Sequence, residues 1–213
     1  MSKPVTILAT FLVLIGFGVL PAWALKAPVV TLERIDVATI QPFYVKPTIG
    51  TDKDGKPQVG TYGYSSTLNL AYIFSIKNPN KEPVMLDEFQ FTCTFDTLEV
   101  NTAIVYEDSW VPAGKTDQLR VVVTNEAFPT VVSLMVGAEN AARIQEMKTD
   151  AGALVKKWFE TIADFSFPIG VTNGTALFKD QKGNELRSTF KAVWEKKAEG
   201  SEKKAEGSEK KDK

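Results

Sequence analysis

Through the middle of the chain apolar and polar residues alternate with a period of two. Leu68, Leu70, Tyr72, Phe74 and Ile76 fall on one face of an extended segment, and Asn69, Ser75 and Lys77 on the other. Phe89, Phe91, Cys93 and Phe95 repeat the pattern against Gln90, Thr92, Thr94 and Asp96. Leu119, Val121 and Val123 form a third set, Phe165, Phe167, Ile169 and Val171 a fourth, and Leu186, Phe190, Ala192 and Trp194 a fifth. Successive side chains of a strand point to opposite faces, so the pattern predicts antiparallel sheets packed on one side. The pairs Asp54-Gly55, Asn173-Gly174 and Gly183-Asn184 read as turns between strands. The fold class that follows is mainly β, an antiparallel sandwich.

One region changes period. Leu154, Val155, Trp158, Phe159 and Ile162 lie at i, i+1, i+4, i+5 and i+8, the stripe of a helix, with Asp150 placed to cap its N-terminus. A second helical piece spans about Pro129 to Met147, with Gly137 as its weak point. The sandwich therefore carries a helical insertion before its last strands.

The two ends are built differently. Lys3 precedes the apolar run "VTILATFLVLIGFGVL", and Ala22 and Ala24 flank Trp23 as in an A-x-A cleavage site. Residues 1–25 thus read as a signal peptide or as a membrane signal-anchor. The run from Val5 to Leu25 also approaches the ~20 residues that a spanning helix needs. Either reading exports the remainder to the periplasm or cell envelope, soluble after cleavage near Ala24 or anchored in the inner membrane through a hydrophobic N-terminal helix. Residues 195–213 repeat "EKKAEGS" twice and then begin a third copy. One alanine per seven residues cannot form a coiled-coil seam, so this is a charged low-complexity tail.

Composition narrows the chemistry. The chain has 213 residues, 44% of them hydrophobic, enough for a buried core, and a net charge of -1 that offers no field for nucleic acid. It contains no histidine and one cysteine, which removes the commonest general base and any intrachain disulfide or multi-cysteine metal site. Cys93 sits on the apolar face of its strand and reads as core. "TDKDGKPQVG" has the look of a calcium loop but lacks its closing glutamate, so a hairpin tip between Val45 and Tyr62 is the simpler reading. Its exposed residues Asp52, Asp54, Lys56, Tyr62 and Tyr64 are candidate partner contacts. Asn173-Gly174-Thr175 fits a glycosylation sequon as well as a tight turn, and the turn is preferred. Glu107 and Asp108 are neighbours in an extended segment and do not converge as an acid–base pair would. No nucleophile elbow, Walker loop or dinucleotide fingerprint occurs. No catalytic, metal or cofactor-binding residue is expected, and the chain does not read as an enzyme.

Between two of the strands stands "SIKNPNKEPVMLDEFQF". Pro79 cannot donate to a ladder and holds Asn78 extended, Asn80 tolerates left-handed backbone, and Pro83 limits re-entry. Asn78, Pro79, Asn80 and Pro83 therefore mark a defined corner between strands rather than a ligand loop.

This corner, with "PVVTLERIDVATI" before it and "WVPAGKTDQLRVVV", "FSFPIGVTNGTALF" and "LRSTFKAVW" after it, resembles the late embryogenesis abundant group 2 family, also called the water stress and hypersensitive response domain. The resemblance spans residues 28–194. It implies an immunoglobulin- or fibronectin-III-like sandwich with a helix beside the sheets and no shared catalytic residues. The insertion "IGTDKDGKPQVGTYGYSS" and the repeat tail depart from it. The function expected is a non-enzymatic envelope protein with a structural, protective or protein-binding role. Two alternatives stand beside it: an accessory subunit of a larger respiratory or photosynthetic membrane complex, anchored by an uncleaved first helix, and a binder of an apolar ligand held between sheets and helix. The expected partner is a protein at a membrane, and the membrane itself if the first helix is retained.

Overall fold

The computed structural model describes residues 25–41, 47–51, 54, 57–59 and 66–194, with the backbone alone at 47–51 and 57–59. The signal or anchor segment, the repeat tail, and Asp52, Lys56, Tyr62 and Tyr64 lie outside the described residues. Among the described residues ten strands and three α-helices run in the order β1 (Val29–Ile40), β2 (Pro47–Thr51), β3 (Pro57–Val59), β4 (Thr67–Lys77), β5 (Val84–Phe95), β6 (Leu98–Val105), β7 (Ser109–Val111), β8 (Thr116–Glu126), α1 (Ala127–Val136), α2 (Ala138–Glu146), α3 (Ala151–Thr161), β9 (Ile169–Lys179) and β10 (Glu185–Trp194). One antiparallel sheet has the order β1-β4-β8, and a second has β10-β9-β5-β6 with β7 also on β5. The chain forms the expected mainly β fold with a helical insertion before its last strands, which number two, β9 and β10. β2 and β3 pair as the expected hairpin in the insertion, with Asp54 exposed at its turn.

The core lies between the two sheets. Every residue of the β4 apolar set is buried, and so are Phe89, Phe91, Cys93 and Phe95 from β5 and Leu119, Val121 and Val123 from β8. Phe74 packs edge-on against Phe89 and Phe91 at ring separations of 4.8 and 5.1 Å, and Phe190 closes over both Phe74 and Phe89. Edge-to-face aromatic pairs add about 0.5–1.5 kcal/mol each to the burial of their area. Val84 and Leu86 also face the core although they are out of phase with Phe89. A register irregularity between Leu86 and Glu88 in the β5–β9 pairing absorbs the extra residue.

The helical stripe falls as its spacing predicts. Leu154, Val155, Trp158, Phe159 and Ile162 are all buried, and the Asp150 carboxylate accepts a hydrogen bond from the Ala153 amide at 2.9 Å. Gly137 separates α1 from α2, as its weak helical propensity implies.

Three expectations are corrected. Asn173-Gly174 does not join two strands but lies inside β9, where Asn173 takes a φ of 51° and the pairing slips on both sides. It is a bulge, and Gly174 is required there because a Cβ would meet the Phe190 ring at 2.5 Å and its carbonyl at 2.6 Å. Phe165 and Phe167 precede β9 rather than opening it. Phe165 ends the helical turn Ile162–Asp164 at a φ of 50° and meets Trp194 edge-on at 4.7 Å, while Phe167 packs on Phe95 and Trp158. Glu107 and Asp108 lie in the link between β6 and β7, not in a strand. The reading of the sequence also missed β6. Its alternation breaks at Asn101, where a register shift opposite Cys93 and Thr94 changes which residues face inward.

Candidate functional site

The sandwich has two poles. β1 leaves the first with Val29 beside Lys77 and reaches the second with Ile40 beside Leu68, and β8 ends at that second pole with Glu126 beside Thr67. At ~3.3 Å per residue the poles are roughly 35 Å apart. The Asn-Pro-Asn corner occupies the first pole and the helices leave from the second.

At the first pole the two asparagines are fully or nearly buried and hydrogen-bonded throughout. Asn78 Nδ2 donates to the carbonyls of Glu82, Val111 and Pro112 at 2.9, 3.1 and 3.3 Å. Its Oδ1 accepts from the Asn80 backbone N–H at 3.0 Å and from Asn80 Nδ2 at 2.9 Å. The Asn78 backbone N–H donates to the Lys115 carbonyl, the last rung before the strand stops. Asn80 then reaches back 54 residues: its Oδ1 accepts from the Lys26 N–H and its Nδ2 donates to the Lys26 carbonyl, both at 2.8 Å. The Ser188 hydroxyl holds the Pro28 carbonyl close by. The corner stops a strand as expected, but its second asparagine keeps negative φ and does not bond its own downstream backbone. Its amide acts as a clamp on the segment that follows the apolar run ending at Leu25. No residue-by-residue pattern reveals a partner so distant in sequence.

At the second pole α1 buries Ala127, Thr130 and Leu134 and turns another face outward. Phe128, Val132, Met135 and Val136, at i, i+4, i+7 and i+8, form that face, with Met135 68% and Val136 79% exposed. No charged residue occurs between Ala127 and Ala138. The helix was legible in the sequence; this ridge was not singled out, though the absence of charge over those twelve residues was its signal.

Beside α1 the edges of the two sheets leave a cleft of about 540 Å³ between β6 and β8, lined chiefly by polar side chains. Glu99 and Glu126 are its charged groups, and among the described residues neither carboxylate pairs with a lysine or arginine. Asn101 bridges the edges, donating to the Thr124 carbonyl at 3.0 Å and accepting from the Thr102 N–H at 2.8 Å.

Of the candidate partner contacts, Asp54 alone is among the described residues; Asp52, Lys56, Tyr62 and Tyr64 lie outside them. Where an apolar ligand would need room between sheets and helices, Trp158 is fully buried against Phe95 and Phe167, and its indole N–H donates to Asp96 Oδ2 at 2.8 Å. Among the described residues no group of three or more carboxylate or thiol side chains could hold a metal, and no helix is long and apolar enough to cross a membrane.

Cys93 is sealed between the sheets, as its place on the apolar face implies. Burial pushes its thiol up to about 12, and the neighbouring Tyr72 hydroxyl offsets this only in part. Burial likewise pushes the Tyr72 phenol well above its ordinary range. A thiol that holds its proton more tightly folded than unfolded stabilises the fold fully below its unfolded value of 9.0, and that stability is lost as pH rises towards 12. Cys93 is therefore expected to resist a thiol reagent at pH 8 until the chain unfolds, with the urea midpoint falling between pH 9 and 12. Labelling rates followed against urea concentration check both; rapid labelling of the native chain would refute the first.

No protein-family model matches the sequence, and no curated protein matches it. The chain is similar to solved structures at low identity. They include a protein from Archaeoglobus fulgidus (9% identity, 79% of this chain and 99% of that one, TM-score 0.36). Another is a protein from Arabidopsis thaliana solved in solution (11% identity, 80% and 83%, TM-score 0.42). A third carries the description late embryogenesis abundant protein (9% identity, 76% and 71%, TM-score 0.32).

Proposed function

We propose that this chain is a non-catalytic protein-binding module of the cell envelope, tethered through its N-terminal apolar segment and holding its partner on α1. The observation that carries the reading is the uncharged ridge Phe128, Val132, Met135 and Val136, where four exposed large apolar side chains gather on one helix face. A contiguous apolar ridge rimmed by polar surface marks a place where another molecule sits. The occupant is an apolar strip of a partner protein rather than the tethering bilayer. Asn80 grips Lys26 directly after the apolar run, so the first pole adjoins the tether and the ridge lies roughly 35 Å away from it. The lack of histidine and the sealed, strongly protonated Cys93 support a non-catalytic role. A dedicated accessory subunit of a membrane complex is the more specific form of this reading, favoured by the short link between tether and clamp.

The test is the double substitution Val132→Lys with Met135→Lys, examined by native gel electrophoresis of membranes from the chain's own source. Both side chains point outward, so stability should change by no more than about 0.5 kcal/mol per site. The wild-type chain should migrate in a larger assembly and the variant at its own mass, with unchanged circular dichroism. A wild-type chain migrating alone, or a variant that stays in the assembly, would overturn the reading.

A further inference from the structure

Asparagine amides recur in this protein as surrogates for a neighbouring strand. Asn80 takes both the N–H and the C=O of Lys26. Asn140 does the same to Glu99, accepting from its N–H at 3.3 Å and donating to its carbonyl at 2.8 Å. Asn78 serves three carbonyls, and Asn101 joins the two sheet edges. Among the described residues four asparagines are buried: Asn78, Asn80, Asn125 and Asn140. Asn125, 1% exposed, departs from the rule, because neither Oδ1 nor Nδ2 has a hydrogen-bond partner.

Its position explains where a partner would come from. Asn125 follows Leu119, Val121 and Val123 on the inward face of β8, at the open flank where β8 and β6 face each other and α1 crosses. It lines the cleft between those edges, beside Thr92, Thr102, Thr130, Glu99 and Glu126. A buried amide with both functions unmet lowers the stability of the free fold, and an apolar residue of similar size would serve the core better. Buried amides in folded proteins nearly always have a partner, so this one marks a place where a partner can arrive from outside the fold.

We propose that this cleft takes an extended, lysine- or arginine-bearing peptide segment of a partner protein, with Asn125 clamping the N–H and C=O of one of its residues as Asn80 and Asn140 clamp theirs. The amide class follows from the paired donor and acceptor of Asn125 and from the two worked instances in the same fold. The positive charge follows from Glu126, which lines the cleft without a cationic partner, and from Glu99 beside it, whose Oε1 accepts from Thr172 Oγ1 and Asn173 Nδ2 on β9 at 3.3 and 3.2 Å but has no lysine or arginine against it. The Asn125 amide is covered in the free chain, so the peptide engages it by displacing the rim of α1. That helix starts without a side-chain cap on its first turn and carries no charged residue; its start is held by the Ala127 N–H on the Ser66 carbonyl and the Thr130 hydroxyl on the Glu126 carbonyl, the two bonds that the peptide replaces. The cleft borders Pro129, Thr130 and Ser133 of α1, and the ridge lies on another face of the same helix.

The test titrates the 15N-labelled full chain with a blocked Ala-Lys-Ala-Lys-Ala peptide, with its glutamate counterpart and with acetamide. The lysine peptide should shift the amides of residues 99–102 and 124–133, and the other two probes should not. Asn125→Leu should weaken that binding about tenfold or more while raising the thermal midpoint of the free chain by about 2–8 °C. The paired change Glu99→Gln with Glu126→Gln leaves the core untouched and should weaken lysine-peptide binding about threefold. The proposal fails if the lysine peptide produces no shifts, if the glutamate peptide or acetamide produces the same ones, or if Asn125→Leu binds as wild type does. A lower midpoint for Asn125→Leu would also overturn it, since the amide would then be satisfied within the free fold.

Discussion

Replacing Trp158 by alanine is expected to lower the thermal midpoint by roughly 6–20 °C in a single transition. The indole is fully buried and is the largest side chain of the core. It meets the Phe95 ring edge-on at 5.3 Å and lies 6.0 Å from that of Phe167, so it joins α3 to β5 and to the segment entering β9. Truncating a buried tryptophan costs about 3–5 kcal/mol, and each kcal/mol moves the midpoint of a domain this size by about 2–4 °C. A polar contribution adds to the apolar one. The indole N–H donates to Asp96, which with Thr97 forms the two-residue turn between β5 and β6, both at positive φ. Trp158→Phe keeps most of the ring packing and loses that bond, so its effect should be the smaller of the two. Because α3 shares its stripe with the sheets, circular dichroism in the far and near ultraviolet should melt together. A variant whose helices melt first and leave the sheets folded would show the insertion to be an appendage rather than part of the core.

Much of this architecture was legible because local periodicity and final burial coincide. β4 is the clearest instance: all five residues of its apolar set are buried, because a central strand of a packed sheet obeys period two along its length. The readings failed where pairing irregularities intervene. β6 has Leu98 and Val100 inward, and then the phase changes, so no single alternation runs through it. Asn173-Gly174 has the composition of a tight turn, and the same tolerance for positive φ suits a bulge. What separates the two is the Phe190 backbone on the neighbouring strand, 16 residues further along. The two proposed surfaces were less legible for a related reason. A helix can be read from its own residues, but which face of α1 stays open depends on what α3 and the sheets cover. The unpaired amide of Asn125 is invisible until every other asparagine is seen to have a partner. The corner asparagines occupy a middle position, since their identity marks the turn while the grip on Lys26 exists only in three dimensions.

That corner carries the second large expected effect: Asn78→Ala should destabilise the fold by about 2–4 kcal/mol, measured by urea or thermal unfolding. The side chain is fully buried and engages five backbone or side-chain groups belonging to Asn80, Glu82, Val111 and Pro112. Alanine removes the amide and leaves those groups behind, and each buried group left without a partner costs about 1–3 kcal/mol unless water reaches it. The carbonyls of Glu82 and Pro112 and the Nδ2 of Asn80 are only partly buried or have other partners, which holds the total below the simple sum. Asn78→Asp separates donation from shape. The carboxylate can still accept from Asn80 but presents charge to three carbonyls, so at neutral pH it should be at least as damaging as alanine. The loss should also travel along the chain. Asn80 is oriented by Asn78 and in turn holds Lys26, so amide exchange at residues 26–30 should accelerate more than at the far end of β1. Asn80→Ala, which breaks the grip on Lys26 while leaving the Asn78 donations intact, should reproduce that local acceleration at much smaller global cost. If Asn78→Ala costs less than about 1 kcal/mol, the corner is a tolerant turn and the segment after the apolar run is held by Ser188 and the β1 ladder instead.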